Sequence, residues 1–126
     1  MKAEVEVDRD VVVQAVLNLL ANAAKYGPAD RSIEVAIDAD EVMAKIAVRD
    51  YGPGIPAHEQ ARIFREFYRS PEAYRSGVEG TGLGLALVKQ HIEALGGSVD
   101  VESTVGHGAT FTIKLPRHTG KLEEVA

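Results

Sequence analysis

Apolar residues recur at helical spacing through the run Q-A-V-L-N-L-L-A-N-A-A-K-Y, Gln14 to Tyr26. At about 100° per residue, Val13, Val16, Leu17, Leu20 and Ala24 gather on one side, the stripe expected to face a core. Gln14, Asn18, Asn22 and Lys25 gather on the other, with Ala15 and Ala21 as small neighbours. Asp8 or Asp10 is placed to cap this helix with negative charge at its positive end. Gly27-Pro28 stops it. Ahead of it, Glu4 to Val7 alternates Glu and Val and reads as a short edge strand. Beyond it the period changes to two. Ile33, Val35 and Ile37 share one face of a strand over Ser32 to Asp38, and Val42, Ala44, Ile46 and Val48 share one face of the next. The Ala39-Asp40-Glu41 link folds the two into an antiparallel hairpin. Asp50 has the parity of Val48, so its carboxylate is directed to the apolar side where the strand ends. A buried carboxylate needs a partner.

The remainder repeats the arrangement. Asp50 to Pro56 is a dense turn segment, and Ala57 to Tyr68 holds short helical turns carrying Ile63, Phe64 and Phe67. Arg69 to Gly80 is polar and aperiodic, with Pro71, Gly77 and Gly80, and reads as a mobile loop of functional length. A second helix follows Gly84, with Leu85, Val88, Ile92 and Leu95 on one face, and closes at Gly96-Gly97. Ser98 to Glu102 and Ala109 to Leu115 form a second hairpin around the turn Ser103 to Gly108. Val99, Val101, Phe111, Ile113 and Leu115 lie inside it. The tail from Pro116 is charged and frayed. Helix, two strands, irregular stretch, helix and two strands predict an α+β two-layer sandwich with both hairpins in one sheet. The 126 residues suit a single domain.

Composition narrows the classes. The net charge of −5 and the lack of any Lys/Arg-rich run disfavour nucleic-acid binding. Without cysteine there is no disulfide framework and no thiolate metal site. No apolar run spans a bilayer, and Met1 to Glu4 does not open a signal peptide. These features predict a soluble chain without membrane contact, compatible with the cytosol, that could be cut from a membrane-anchored parent.

Two features carry chemistry. Carboxamides both accept and donate hydrogen bonds, so the Asn18–Asn22–Lys25 face suits a hard cation with phosphate; it reads equally as a solvated surface. Gly80-Thr81-Gly82-Leu83-Gly84 precedes a helix, where glycines admit close approach of backbone amides to an anion and the helix dipole adds to the attraction. Three alternating glycines exceed what a helix start needs. Familiar motifs do not fit. The third glycine falls one residue early for a dinucleotide fingerprint and follows a loop, and no G-x-x-x-x-G-K-[ST] occurs. Asp50-Tyr51-Gly52 lacks the catalytic loop that accompanies D-F-G. His58, His91, His107 and His118 have no metal-ligand spacing and read as surface residues. No activated nucleophile is evident.

Asn18–Tyr26 (N-L-L-A-N-A-A-K-Y), Asp50–Ile55 (D-Y-G-P-G-I), Ile63–Arg69 (I-F-R-E-F-Y-R) and Gly80–Lys89 (G-T-G-L-G-L-A-L-V-K) resemble, in family order, the asparagine box, first glycine box, phenylalanine box and second glycine box of sensor histidine kinases. Gly106–Phe111 (G-H-G-A-T-F) is similar to their third glycine patch. Together these span roughly Val5 to Leu115, and resemble the ATP-binding catalytic domain of the gyrase, chaperone, histidine kinase and mismatch-repair superfamily. The resemblance implies the Bergerat fold, a mixed sheet of about five strands with about three helices on one face.

It also implies roles. Asn22 would hold magnesium with help from Asn18, Lys25 would reach phosphate, and Tyr26 would lie near the base. Asp50 would accept the adenine amino hydrogen, beside Gly52, Gly54 and Ile55. Arg69 would meet the terminal phosphate. Thr81, Gly82, Leu83, Gly84 and Leu85 would line the phosphates, 69–80 would be the ATP lid, and Thr110 would contact the adenine side through water. The superfamily's hydrolysing members, and its protein-serine kinases, carry Glu four residues before the magnesium Asn; here Asn18 stands there and cannot act as a base. The expected function is therefore transfer of the ATP γ-phosphate to histidine. The acceptor lies on a separate dimerisation domain, because no phosphoacceptor helix occurs in this chain, and a response regulator acts downstream. The isolated domain is expected to be monomeric. A regulatory nucleotide-binding module, an anti-sigma serine kinase and a self-sufficient ATPase are the alternatives.

Overall fold

The computed structural model describes residues 9–28, 31–68 and 84–117. Helix α1 (Arg9–Tyr26) leads to strands β1 (Glu34–Ala39) and β2 (Met43–Asp50), the short helix α2 (Ala57–Gln60), helix α3 (Gly84–Ala94), and strands β3 (Ser98–Ser103) and β4 (Ala109–Pro116). The strands form one sheet in the order β1-β2-β4-β3. Every pairing is antiparallel. The α+β two-layer expectation holds. Among the described residues the sheet has four strands rather than about five, and no parallel pair. The short connections of the β1–β2 and β3–β4 hairpins permit only antiparallel neighbours there. The strand expected over Glu4 to Val7 lies outside the described residues.

Alternation decides what each strand buries. Ala109, Phe111, Ile113 and Leu115 point inward from β4. Val48 lies opposite Phe111 and Ile46 opposite Ile113, so one face of the sheet is continuous and apolar. Ala15, Leu19 and Ala23 of α1, with Val88 and Ile92 of α3, cover that face. The helix is therefore seated about a quarter turn from the expected stripe. Val16 and Leu20 still touch the core. Val13 and Leu17 are 48% and 52% exposed, and Ala24 is exposed too. The expectation followed the bulky aliphatics, whereas the packed face carries Ala15 and Ala23, whose small side chains let α1 approach its neighbours closely. Val35 and Ile37 have the inward parity of Val48 and Ile46 across the pair. They nevertheless remain exposed, because β1 is at the sheet edge.

The β1–β2 link is held by Asp40, whose Oδ1 accepts the N–H groups of Val42 and Met43 at 2.8 and 2.7 Å. Those two backbone donors hold its carboxyl below the usual carboxylate range. At the end of α3, the Leu95 and Gly97 N–H groups both return to the Ile92 carbonyl, which satisfies the last turn. The two phenylalanines of the 57–68 segment part company. Phe64 packs edge-to-face on Phe111, ring centres 6.1 Å apart. Phe67 is 65% exposed and sits at φ 64°, a left-handed conformation that costs a side-chain-bearing residue about 1 kcal/mol.

Candidate functional site

Asp50 ends β2 on the inward face and is 5% exposed, a buried carboxylate at the rim of the sheet. Its Oδ1 accepts the Gly52 N–H at 2.9 Å, which fixes the side-chain orientation. An ionised carboxylate has acceptor sites beyond the one so used. The sequence-derived parity and burial of Asp50 are thus both observed, and its protein partner is the backbone of its own turn.

That turn is clamped from several sides. The end of α1 presses on it: the position a Cβ would take at Gly52 abuts the Tyr26 carbonyl, and the one at Gly27 lies near Asp50. Gly54 (φ 82°) and Gly108 (φ 78°) are where backbones meet most closely. A Cβ would strike the Thr104 carbonyl at the first and the Asp50 carbonyl at the second. Both positions require glycine twice over, for conformation and for space. On the outer side, Tyr51 donates to Glu34 Oε1 at 2.6 Å. The guanidinium groups of Arg31 and Arg49 lie over its ring, 4.0 Å and 4.7 Å from the ring centre.

The contact of α1 with the Asp50 turn brings the C-terminal end of the helix, at Tyr26 and Gly27, to the carboxylate. Asn18 and Asn22 are half-buried on the flank of α1, while Lys25 and Gln14 are exposed. Gln14 Nε2 donates to Asn18 Oδ1 at 3.4 Å. Tyr26 and Ile55 are half-buried at the same junction, and Leu85 packs against the core from the first turn of α3, next to exposed Gly84. Oxygen donors of this kind suit a hard divalent cation. Among the described residues no three His, Cys, Asp or Glu side chains gather as a metal centre.

One expected site residue lies on the other face of the sheet. Thr110 lies across from Arg49 and from Glu102 and takes their outward parity, so its side chain is on the opposite face of the sheet from Asp50. Ala109 is the residue paired with Asp50. In a pleated strand a shift of one position changes the face. Arg69, Thr81, Gly82 and Leu83, with the loop 69–80, lie outside the described residues.

Residues 7–119 match the family described as histidine kinase-, DNA gyrase B- and HSP90-like ATPase. The chain belongs to this family. It is 39% identical over 114 residues to the sensor histidine kinase WalK of Bacillus subtilis (strain 168), an alignment covering 89% of this chain and 19% of WalK. It is 42% identical over 106 residues to the circadian input-output histidine kinase CikA of Synechococcus elongatus, covering 84% of this chain and 14% of CikA. Among solved structures, the mycobacterial sensor histidine kinase MprB superposes with a TM-score of 0.79 at 35% identity, covering 90% of this chain and 75% of that one. Full-length ShkA in complex with AMPPNP gives 0.79 at 31% identity, covering 94% of this chain and 24% of that one. The chain thus spans about a fifth of the length of WalK.

Three polar residues of this histidine kinase-like ATPase domain were not singled out by sequence pattern. Glu59 in α2 is buried and accepts the Tyr68 hydroxyl at 3.1 Å. Burial, with Glu59 adding to it, raises the Tyr68 pKa above its ordinary value. Gln60 and Ser103 join the Asp50–Ile55 turn to the β3–β4 turn. Sequence periodicity reports apolar faces and is blind to polar residues that bridge distant loops. His91, expected at the surface, is half-buried, and its Nδ1 has no hydrogen-bond partner among the described residues. No helix of the described residues is long and apolar enough to cross a membrane.

Proposed function

We propose that this domain binds Mg-ATP and donates the γ-phosphate to a histidine on a separate dimerisation and phosphotransfer domain, as the kinase unit of a cytoplasmic two-component pathway feeding a response regulator. The observation that carries the reading is Asp50. It is a buried carboxylate, oriented by the Gly52 N–H, at the junction with the amide-bearing helix. A buried charged acceptor is suited to an exocyclic amino group, and rejects a base that presents a carbonyl there.

Asn22, assisted by Asn18, would hold magnesium, which when bound neutralises phosphate charge. Lys25 on the same helix is assigned to the phosphates. Arg69, Thr81, Gly82 and Leu83 are assigned to the phosphate end with Gly84 and Leu85. Transfer then depends chiefly on positioning and charge neutralisation. Asn18 offers no base for activating water, and an imidazole acceptor needs none. The exposed Phe67 is assigned to docking of the partner domain, where an apolar side chain gains by leaving water.

The direct test supplies γ-labelled ATP and a separately prepared histidine phosphotransfer domain. Label on histidine is the expected result, with negligible steady-state hydrolysis by this chain alone. Label on serine of a partner, or brisk hydrolysis, would refute it. Asn22→Ala is expected to abolish the part of ATP affinity that depends on magnesium, roughly tenfold for one lost ligand. Affinity without magnesium should barely move, and calorimetry with and without the ion separates the two.

A further inference from the structure

Ser103 closes β3 and ties three backbone segments together. Its hydroxyl accepts the Ile55 N–H at 2.7 Å and donates to the Gly108 carbonyl at 2.6 Å. Gln60 spans the same junction from α2, its Nε2 donating to the Ile55 carbonyl at 3.0 Å and the Ser103 carbonyl at 3.1 Å. Ile55 therefore has both backbone polar groups engaged by these two side chains. The Gly106 N–H adds a direct bond to the Pro53 carbonyl at 2.7 Å.

These bonds join two turns that bracket Asp50. One turn, 51–55, leaves Asp50 directly. The other, 103–108, leads into Ala109, the residue opposite Asp50. The backbones approach so closely at Gly54 and Gly108 that nothing larger than hydrogen fits there. A hydroxyl and a carboxamide reaching in from the flank thus set the separation of the turns. Ser103 and Gln60 stand outside the five segments that carry the family resemblance, and the sequence pattern assigns neither a role.

We propose that Ser103 and Gln60 are positioning residues for base recognition. They hold the Asp50–Ile55 turn at the spacing where the Asp50 carboxylate meets a purine 6-amino group, and so set the preference for adenine over a 6-oxo purine. The inference rests on the ATP-binding reading above. Neither side chain need touch the nucleotide. Removing the Ser103 hydroxyl frees the Ile55 N–H and the Gly108 carbonyl together, and the turn can then shift. A directional bond to the base weakens more under such a shift than the diffuse attraction of the phosphates, which both nucleotides share.

The test measures Kd for Mg-ATP and Mg-GTP by calorimetry on the wild type, Ser103→Ala, Ser103→Thr and Gln60→Ala, with thermal melting to confirm folding. Ser103→Ala is expected to weaken ATP about tenfold, equivalent to about 1.4 kcal/mol, and GTP distinctly less, so the ATP:GTP ratio falls. Ser103→Thr keeps the hydroxyl and restores the ratio. Gln60→Ala moves it the same way, and the double variant loses less than the sum because both side chains hold one junction. A folded Ser103→Ala protein with the wild-type ratio overturns the inference, even if it melts earlier. Should Ser103→Ala not fold, Gln60→Ala is judged by the same ratio. If the wild type fails to bind ATP, the proposed function falls and this inference with it. If the wild type binds and the ratios stay level, only this inference falls.

Discussion

Asp50→Ala is expected to lower ATP affinity by about 100-fold, the loss of one hydrogen bond to a charged acceptor in a low-dielectric site, about 1.5–3 kcal/mol. The substitution removes two things at once. The first is the acceptor proposed for the base, and the second is the oxygen that takes the Gly52 N–H at 2.9 Å and orients the turn. Asp50→Asn separates them. Its carboxamide oxygen can still accept from Gly52, but its NH₂ group then faces a donor on the base, so it should bind ATP poorly while melting close to the wild type. Calorimetry with ATP, beside a thermal melt, reads both. Undiminished affinity in Asp50→Ala would remove the assignment of this carboxylate to the base.

Gly108→Ala should be the most damaging small substitution for stability. The residue sits at φ 78°, and an added Cβ meets the Asp50 carbonyl, a backbone atom with little freedom to yield. The left-handed conformation costs about 1–2 kcal/mol for a residue with a side chain, and overpacking adds typically about 1–3 kcal/mol. A fall of about 3 kcal/mol corresponds to roughly 10 °C in Tm for a domain of this size. The binding site should suffer along with the fold, because the clash falls on Asp50 itself. Gly106→Ala is the control. Gly106 shares the positive φ, but its Cβ would meet nothing within 4 Å, so it should cost only the conformational part. Equal melting of the two variants would show that crowding at Asp50 is not the cause.

The site was legible where a residue's chemistry conflicted with its surroundings. Asp50 carries a charge at an apolar parity, a conflict visible in the alternation of Val42 to Asp50 and resolved in the structure by burial with a backbone partner. The amides of α1 were visible because Asn is an uneconomical choice in a helix interior. Thr110 was misplaced because the resemblance assigned it to the adenine side against the alternation of its own strand, which puts Phe111, Ile113 and Leu115 inside and Thr110 outside. The pairing of Ala109 with Asp50 settles the face.

Local periodicity and turn chemistry determined the two hairpins, both long helices, the inward faces of β2 and β4 and the directed carboxylate of Asp50. Those properties depend on neighbours along the chain. The tertiary structure decided how α1 rolls on the sheet, which left Val13 and Leu17 exposed and buried Ala15 and Ala23. It separated Phe64 from Phe67, buried Glu59, and joined Ile55 to Ser103 across 48 residues. These depend on which surfaces fit together. Small residues win that competition by allowing close approach, and buried polar groups follow because each must find a partner once water is excluded.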